Sequence, residues 1–244
     1  MLARRIIGWS QRWIRARQLG IRYFRDRSWK APVTIRVNGQ RVEMLLPNDK
    51  GTEIAFKDIF LNDCYELESL PKNIASVVDI GAHVGLFSLA ARIRFPRAEI
   101  HAYEPNRQML PFLAQQSAVG QFSVFSEAVG FERGQVSIKP GEDSVHARVV
   151  HDSESSIPSI SFTEAIRRVK NEPILVKLDC EGSEWEVLRD AITWQRVRYL
   201  TMEYHLWAGY TLVELVRQIE SLGFVIKSLT DTEDTFGILV AQRS

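Results

Sequence analysis

The order of apolar segments predicts an α/β protein with a doubly wound sheet, mostly parallel, carrying one antiparallel strand at its C-terminal end. Three observations lead there. From Ile74 onward, short apolar runs alternate with segments of helical periodicity. Residues 76–85, SVVDIGAHVG, set an apolar run, a carboxylate and two glycines directly ahead of a helical pattern. The last two apolar runs, at 224–229 and 236–241, are near enough to pair as a hairpin, so one must oppose the other strands. Ligands of such sheets bind beyond the carboxyl ends of the strands. Asp79, Glu104, Glu127, Asp179 and Glu203 all fall at predicted strand ends, so they are expected around one crevice.

The N-terminal 30 residues stand apart in charge. They carry nine basic residues against Asp26 alone, a net +8, while the remainder is −7. On a helical wheel Leu2, Ile6, Trp9, Trp13 and Phe24 share one side and Arg4, Arg5, Arg12, Arg15, Arg22 and Arg25 the other. This is the pattern of a basic amphipathic helix. It suits docking on the body of the protein or a partner subunit, or lying on an anionic membrane face. Nucleic acid is not expected, because no basic surface continues along the chain. Residues 33–37 alternate, Asn38-Gly39 is a hairpin turn, and 41–46 returns, forming a small lid or edge sheet. Residues 50–70 read as irregular helix and loop. The expected division is residues 1–30, an N-terminal helix; 31–70, a hairpin and helical appendage; and 71–244, the ligand-binding domain.

Beyond that, Leu86, Leu89, Ala90 and Ile93 give a helical stripe stopped by Pro96. Leu110, Leu113, Ala114 and Ser117 give another, ended by Gly120. Further strands are expected at 100–103, 122–125, 173–178 and 199–203, with a short one at 136–138. Short helices are expected at 163–170 and from Glu184 to Leu188. Residues 140–158, with His146 and His151, read as a surface loop. Thr211 and Glu214 have capping-box spacing ahead of a helix ended by Gly223.

Two cysteines, Cys64 and Cys180, offer neither a disulfide framework nor metal-ligand spacing. No run approaches the roughly 18 apolar residues of a membrane span. A cytoplasmic location is expected, with the inner membrane face as an option for the basic arm.

The glycine spacing Asp79-x-Gly81-x-x-x-Gly85 fits neither a dinucleotide fingerprint nor a P-loop. It is similar to the first motif of class I S-adenosylmethionine-dependent methyltransferases. Glu104, 19 residues after Gly85, ends the next strand, where a carboxylate can accept both hydroxyls of a ribose. Two further blocks follow, LDCEGSE at 178–184 and EYH at 203–205. With DIGAHVG at 79–85 and YEPN at 103–106, they make roughly residues 55–241 resemble the FkbM family of S-adenosylmethionine-dependent methyltransferases. The chain departs from the usual family pattern at His83, where Asn is typical, and at Cys180. The resemblance implies a Rossmann-like methyltransferase fold, S-adenosylmethionine as cofactor, and O-methyl transfer to a sugar, glycan, glycolipid or related metabolite. Mapped by motif, Asp79, Gly81, His83, Gly85, Glu104, Pro105, Asn106 and Asp179 are the expected cofactor residues, and Glu127, which follows the third strand, is expected as a contact to the adenine because this fold class places that segment there.

Methyl transfer from a sulfonium needs alignment and removal of one proton from the acceptor hydroxyl. His205 is expected as a neutral base, with Glu184 and Glu181 as alternatives; each also has a plain structural reading as a packed histidine or a helix-capping acid. Asp179, Glu181 and Glu203 offer oxygen ligands that would suit Mg²⁺, but no metal is favoured from sequence spacing. Two other functions stay open: a non-catalytic cofactor-binding or scaffolding module, and an NAD or nucleotide-sugar enzyme.

Overall fold

The structure is a computed structural model and describes residues 8–21, 34–139, 148–206, 209–233 and 235–243. Helix α1 (Trp9–Gln18) comes first, with Arg15 and Arg17 in its last turn, where the helix dipole favours cations. The expected helical residues Leu2, Arg4, Arg5, Ile6, Arg22, Phe24 and Arg25 lie outside the described residues. Strands β1 (Thr34–Val37) and β2 (Gln40–Glu43) form an antiparallel hairpin. Asn38 and Gly39 both take positive φ, at 50° and 85°, as a type I′ turn requires. Helix α2 (Lys50–Phe56), capped by the Asp49 carboxylate on Thr52 N, runs into a π-helical segment, Lys57–Asn62.

The main sheet has seven strands. They are β3 (Ser76–Ile80), β4 (Glu99–Tyr103), β5 (Ser123–Phe125), β10 (Ile174–Leu178), β11 (Val197–His205), β12 (Phe224–Glu233) and β13 (Phe236–Arg243), in the order β12-β13-β11-β10-β3-β4-β5. β13 pairs antiparallel with both β11 and β12, as the terminal hairpin predicts, and the other pairings are parallel. The winding reverses between β3 and β10, which opens the crevice there.

A second sheet of four strands was mostly missed in sequence. It holds β6 (Ala128–Gly130), β7 (Gly134–Lys139), β8 (Arg148–His151) and β9 (Ile157–Ser161), in the order β6-β9-β7-β8. Only its β7 was expected. The serine-rich β9 has weak apolar alternation, so the segment 140–158 reads as loop although its described ends are strands. His146 lies outside the described residues.

Helices α3 (Leu86–Arg94), α4 (Leu110–Gly120), α5 (Phe162–Arg168), α6 (Glu184–Leu188), α7 (Ala191–Trp194) and α8 (Leu212–Ser221) flank the sheets. The capping box of Thr211 and Glu214 is formed on α8. Successive residues of each strand feed opposite faces. Val77 and Leu175 join one buried cluster, Val78 and Val176 the other. The first cluster also takes Ala16, Leu19, Ile21, Ile35, Phe56 and Leu61, so the N-terminal segments share the core of the catalytic domain.

The orientation of α1 inverts its wheel. Arg12 donates to Asn62 Oδ1 at 2.7 Å, and Arg15 meets Glu68 Oε2 at 2.6 Å and Asp63 Oδ2 at 3.4 Å. The tryptophans face outward instead: Trp9 is 53% exposed, Trp13 43% and Ile14 50%. Arginine faces the protein because the π-helical segment and the turn after it present carboxylates and carbonyls there.

Candidate active site

The glycine turn after β3 is tied to three strands. Gly81 has φ 76°, and a Cβ there would stand 1.8 Å from the carbonyl oxygen of Asp179. The turn therefore passes so close to the end of β10 that only glycine fits. Gly85 has φ 85°, and its missing Cβ makes room for Leu113 of α4. His83 also has positive φ, 50°, and its backbone N–H donates to Glu104 Oε2 at 2.8 Å. The other Glu104 oxygen accepts from Asn106 N at 2.7 Å. Burial pushes the Glu104 carboxyl up to about 7, against the pull of those two N–H groups.

Asp79 is fully buried and works inside the protein. Its Oδ2 accepts from Ser88 Oγ at 2.6 Å, fixing the first turn of α3, and Oδ1 lies 3.3 Å from Lys177 Nζ. Lys177 is the main residue that sequence reasoning passed over. Its ammonium donates to Gly81 O at 2.6 Å and lies 3.4 Å from Asp179 Oδ2. Burial opposes its charge, yet Asp179 and Asp79 hold its pKa above the usual lysine value. A lysine inside the apolar run ILVKL was the available signal, since a central-strand lysine must be paired. Asp179 also accepts from Tyr65 Oη at 2.8 Å. Burial raises its carboxyl, but Lys177, His205 and Tyr65 outweigh that and hold it below the ordinary aspartate value.

The turn into α6 holds the second group. Glu181 adopts φ 55° and Gly182 φ 102°. The fully buried Glu184 accepts from Cys180 N at 2.8 Å and Gly182 N at 3.0 Å, and its Oε1 is 3.1 Å from His205 Nδ1. His205 Nε2 lies 3.8 Å from Glu181 Oε2. Burial lowers the His205 pKa, but the bond to Glu184 and the charges of Glu184, Asp179 and Glu181 raise it to about 9. That shift favours the protonated imidazole unless a cation takes the place of the proton, which bears against the neutral base expected from its residue type. Glu184 likewise does not face an acceptor, because both of its oxygens are committed to the turn.

One cavity of about 850 Å³ lies beyond these strand ends, within the range of small-molecule sites. Gly81, His83, Glu104, Pro105, Asn106, Glu127, Asp179 and Glu181 line it; Asp79, Gly85, Glu184 and His205 stand behind its walls. Glu127 reaches the cavity with its carboxylate held by both terminal nitrogens of Arg168, one on each oxygen. Glu203 also lines the cavity. Burial and then the nearby Asp179 push its carboxyl up to about 8. A further wall comes from the N-terminal region: Arg12 and Arg15 of α1, Ile54 and Ala55 of α2, and Asp58 and Ile59 of the π-helical segment. Nothing in the motif pattern signals that wall. No helix among the described residues is long and apolar enough to cross a membrane.

Comparison with known proteins agrees with the motif order. The 31-O-demethyl-FK506 methyltransferase FkbM of Streptomyces tacrolimicus is 25% identical over 222 residues, covering 73% of this chain and 84% of that protein. Methyltransferase 1 of Beauveria bassiana is 23% identical over 168 residues, covering 56% of this chain and 66% of that protein. Methyltransferase sdnD of Sordaria araneosa is 43% identical over 53 residues, which is 22% of this chain and 20% of that protein. Among solved structures, the precorrin-6y C5,15-methyltransferase of Geobacter metallireducens aligns with TM-score 0.49 and 13% identity, over 83% of this chain and 95% of that one. The family model described as the methyltransferase FkbM domain matches residues 79–226. With the glycine turn, the strand-end acids and the crevice in place, the chain belongs to the FkbM family of S-adenosylmethionine-dependent methyltransferases.

Proposed function

We propose that this protein transfers the methyl group of S-adenosylmethionine to a hydroxyl of a sugar, glycan, glycolipid or related metabolite. The observation that carries this is one cavity whose lining brings together the glycine turn, Glu104 and the carboxylates Glu181 and Glu203. The cofactor supplies a methyl group already activated by the sulfonium charge. The turn from Gly81 to Val84 holds the methionyl end, and Glu104 receives the ribose hydroxyls on the lone pairs that its two backbone bonds leave. Pro105 and Asn106 wall the nucleoside. Lys177 and Asp79 keep the turn in place from behind.

With the cofactor bound, its methyl carbon would be open to in-line attack by the acceptor oxygen. The hydroxyl proton passes to a carboxylate. Glu203 fits that role because it faces the cavity and, with its carboxyl pushed up to about 8, is a strong base once ionised, whereas His205 and Glu184 sit behind the wall and position the turn that carries Glu181. The test is transfer of a labelled methyl group to candidate hydroxylated acceptors. Glu203→Gln should lower kcat by about 10²–10⁴-fold with little change in S-adenosylhomocysteine affinity. Full turnover in that variant would remove Glu203 from the chemistry.

The outward face of α1 favours a second element of this reading. Trp9, Trp13 and Ile14 are exposed on a helix of a segment with net charge +8, and the same helix supplies Arg12 and Arg15 to the cavity wall. That combination suits an anionic bilayer, to which the tryptophans would bring the cavity mouth. Trp9→Ser with Trp13→Ser should reduce co-sedimentation with phosphatidylserine vesicles. Unchanged vesicle binding with a loss of self-association would instead assign the face to a second subunit.

A further inference from the structure

We propose that Asp179, Glu181 and His205 form a site for a first-row divalent cation at the acceptor end of the cavity. The three come from different places in the sequence: the end of β10, the turn before α6 and the end of β11. One ligand atom from each lies within 4.8 Å of the others. Donors about 2.1 Å from a common ion stand roughly 3–4 Å apart, so side-chain adjustments of under an ångström close the set. His205 Nε2 and Glu181 Oε2, at 3.8 Å, are already at such a separation.

A second observation concerns the imidazole. Its other nitrogen, Nδ1, meets Glu184 Oε1 at 3.1 Å, and Glu184 is itself fixed by two backbone N–H groups. A carboxylate behind the ring keeps a proton on Nδ1 and aims Nε2 at Glu181, where the ion takes the place of the second proton; this is how proteins orient metal-binding histidines. A third observation is the shape. Asp179 and Glu181 line the cavity while His205 closes the set from behind, so the ion's remaining positions face the space where an acceptor sits. Structural metal sites are closed; a set of three with open positions is of the catalytic kind. One nitrogen and two oxygens suit Mn²⁺ or Zn²⁺ better than Ca²⁺.

The site deepens the methyl-transfer reading, on which the role of the ion rests, although binding of the ion does not. An acceptor hydroxyl bound to the cation becomes more acidic. Its O–H bond breaks with the proton going to Glu203, the oxygen forms its bond to the methyl carbon, and the C–S bond breaks with its pair to sulfur. No oxidant or reductant is needed.

The test uses the full chain, stripped with EDTA and dialysed, titrated calorimetrically with Mn²⁺ alone, with S-adenosylhomocysteine titrated in parallel. The expected result is one saturable Mn²⁺ site. Glu181→Gln should weaken it at least tenfold, and Glu184→Gln, which touches no ion, by about 10–100-fold. Pulsed EPR of bound Mn²⁺ should show coupling to an imidazole nitrogen that His205→Asn removes. Should His205→Asn fail to fold, the two glutamate variants and the wild-type nitrogen coupling decide. The proposal is overturned by an absence of saturable Mn²⁺ binding up to about 1 mM, the limit of weak specific affinity. It is equally overturned by a site without nitrogen coupling or indifferent to Glu181→Gln. S-adenosylhomocysteine binding that persists in those cases leaves the methyltransferase reading standing; its loss with Mn²⁺ binding retained would do the reverse.

Discussion

Replacing Glu104 with Gln is a demanding test of the cofactor site. Each oxygen of the carboxylate accepts a backbone N–H, from His83 at 2.8 Å and from Asn106 at 2.7 Å. Glutamine offers one acceptor and one amide donor, so one of those N–H groups must face an N–H₂. The ribose hydroxyls also lose a charged acceptor. Hydrogen bonds to charged groups contribute about 1.5–3 kcal/mol, so S-adenosylhomocysteine should bind about 10- to 150-fold more weakly. The pH dependence supplies an independent arm. With the Glu104 carboxyl pushed up to about 7, the free protein holds it protonated below that pH, and only the ionised form accepts both hydroxyls. Binding therefore favours loss of that proton, and wild-type affinity should fall about tenfold from pH 8 to pH 6 by linkage. Glu104→Gln should show no such fall. Calorimetry at both pH values measures all four affinities. Equal affinity of the two proteins at pH 8, or the same pH slope in both, would refute the ribose assignment.

Other outcomes follow from the same contacts. Gly81→Ala puts a Cβ 1.8 Å from the Asp179 carbonyl at a positive φ. Left-handed strain and a forced backbone shift together should cost about 2–5 kcal/mol, read as a lower denaturation midpoint, and abolish S-adenosylhomocysteine binding. Lys177→Met leaves the buried Asp79 and the half-buried Asp179 without their cation. A broken buried ion pair costs about 3–5 kcal/mol, so Tm should drop by roughly 6–20 °C in a scanning melt. A drop under 2 °C, roughly the shift for half a kcal/mol, would show that the ammonium is dispensable. Removing residues 1–21 strips Ala16, Leu19 and Ile21 from the core and Arg12 and Arg15 from the cavity wall. The truncated chain should melt lower and show a raised acceptor KM; an unchanged melt and KM would mean that α1 does not pack in solution.

The sequence by itself determined what is local or periodic. Asn38-Gly39 turns a hairpin because the dipeptide tolerates two positive φ values. Thr211 and Glu214 cap α8 because both partners lie within four residues. The apolar period of β3, β4, β10 and β11 and the terminal hairpin specify the sheet and its one reversed strand. The glycine turn is legible for the same reason, since only glycine can stand where Gly81 does. Tertiary structure decided what depends on contacts distant along the chain. His205 and Glu184 read as bases by type, but 21 residues apart they meet as a buried pair, and that pairing raises the histidine's pKa. Glu127 is paired with Arg168, 41 residues away. The direction in which α1 turns its arginines was set by carboxylates and carbonyls some 50 residues further on, at Leu61, Asp63 and Glu68. A helical wheel orders a helix's own faces, but only the partner surface chooses which of them is buried.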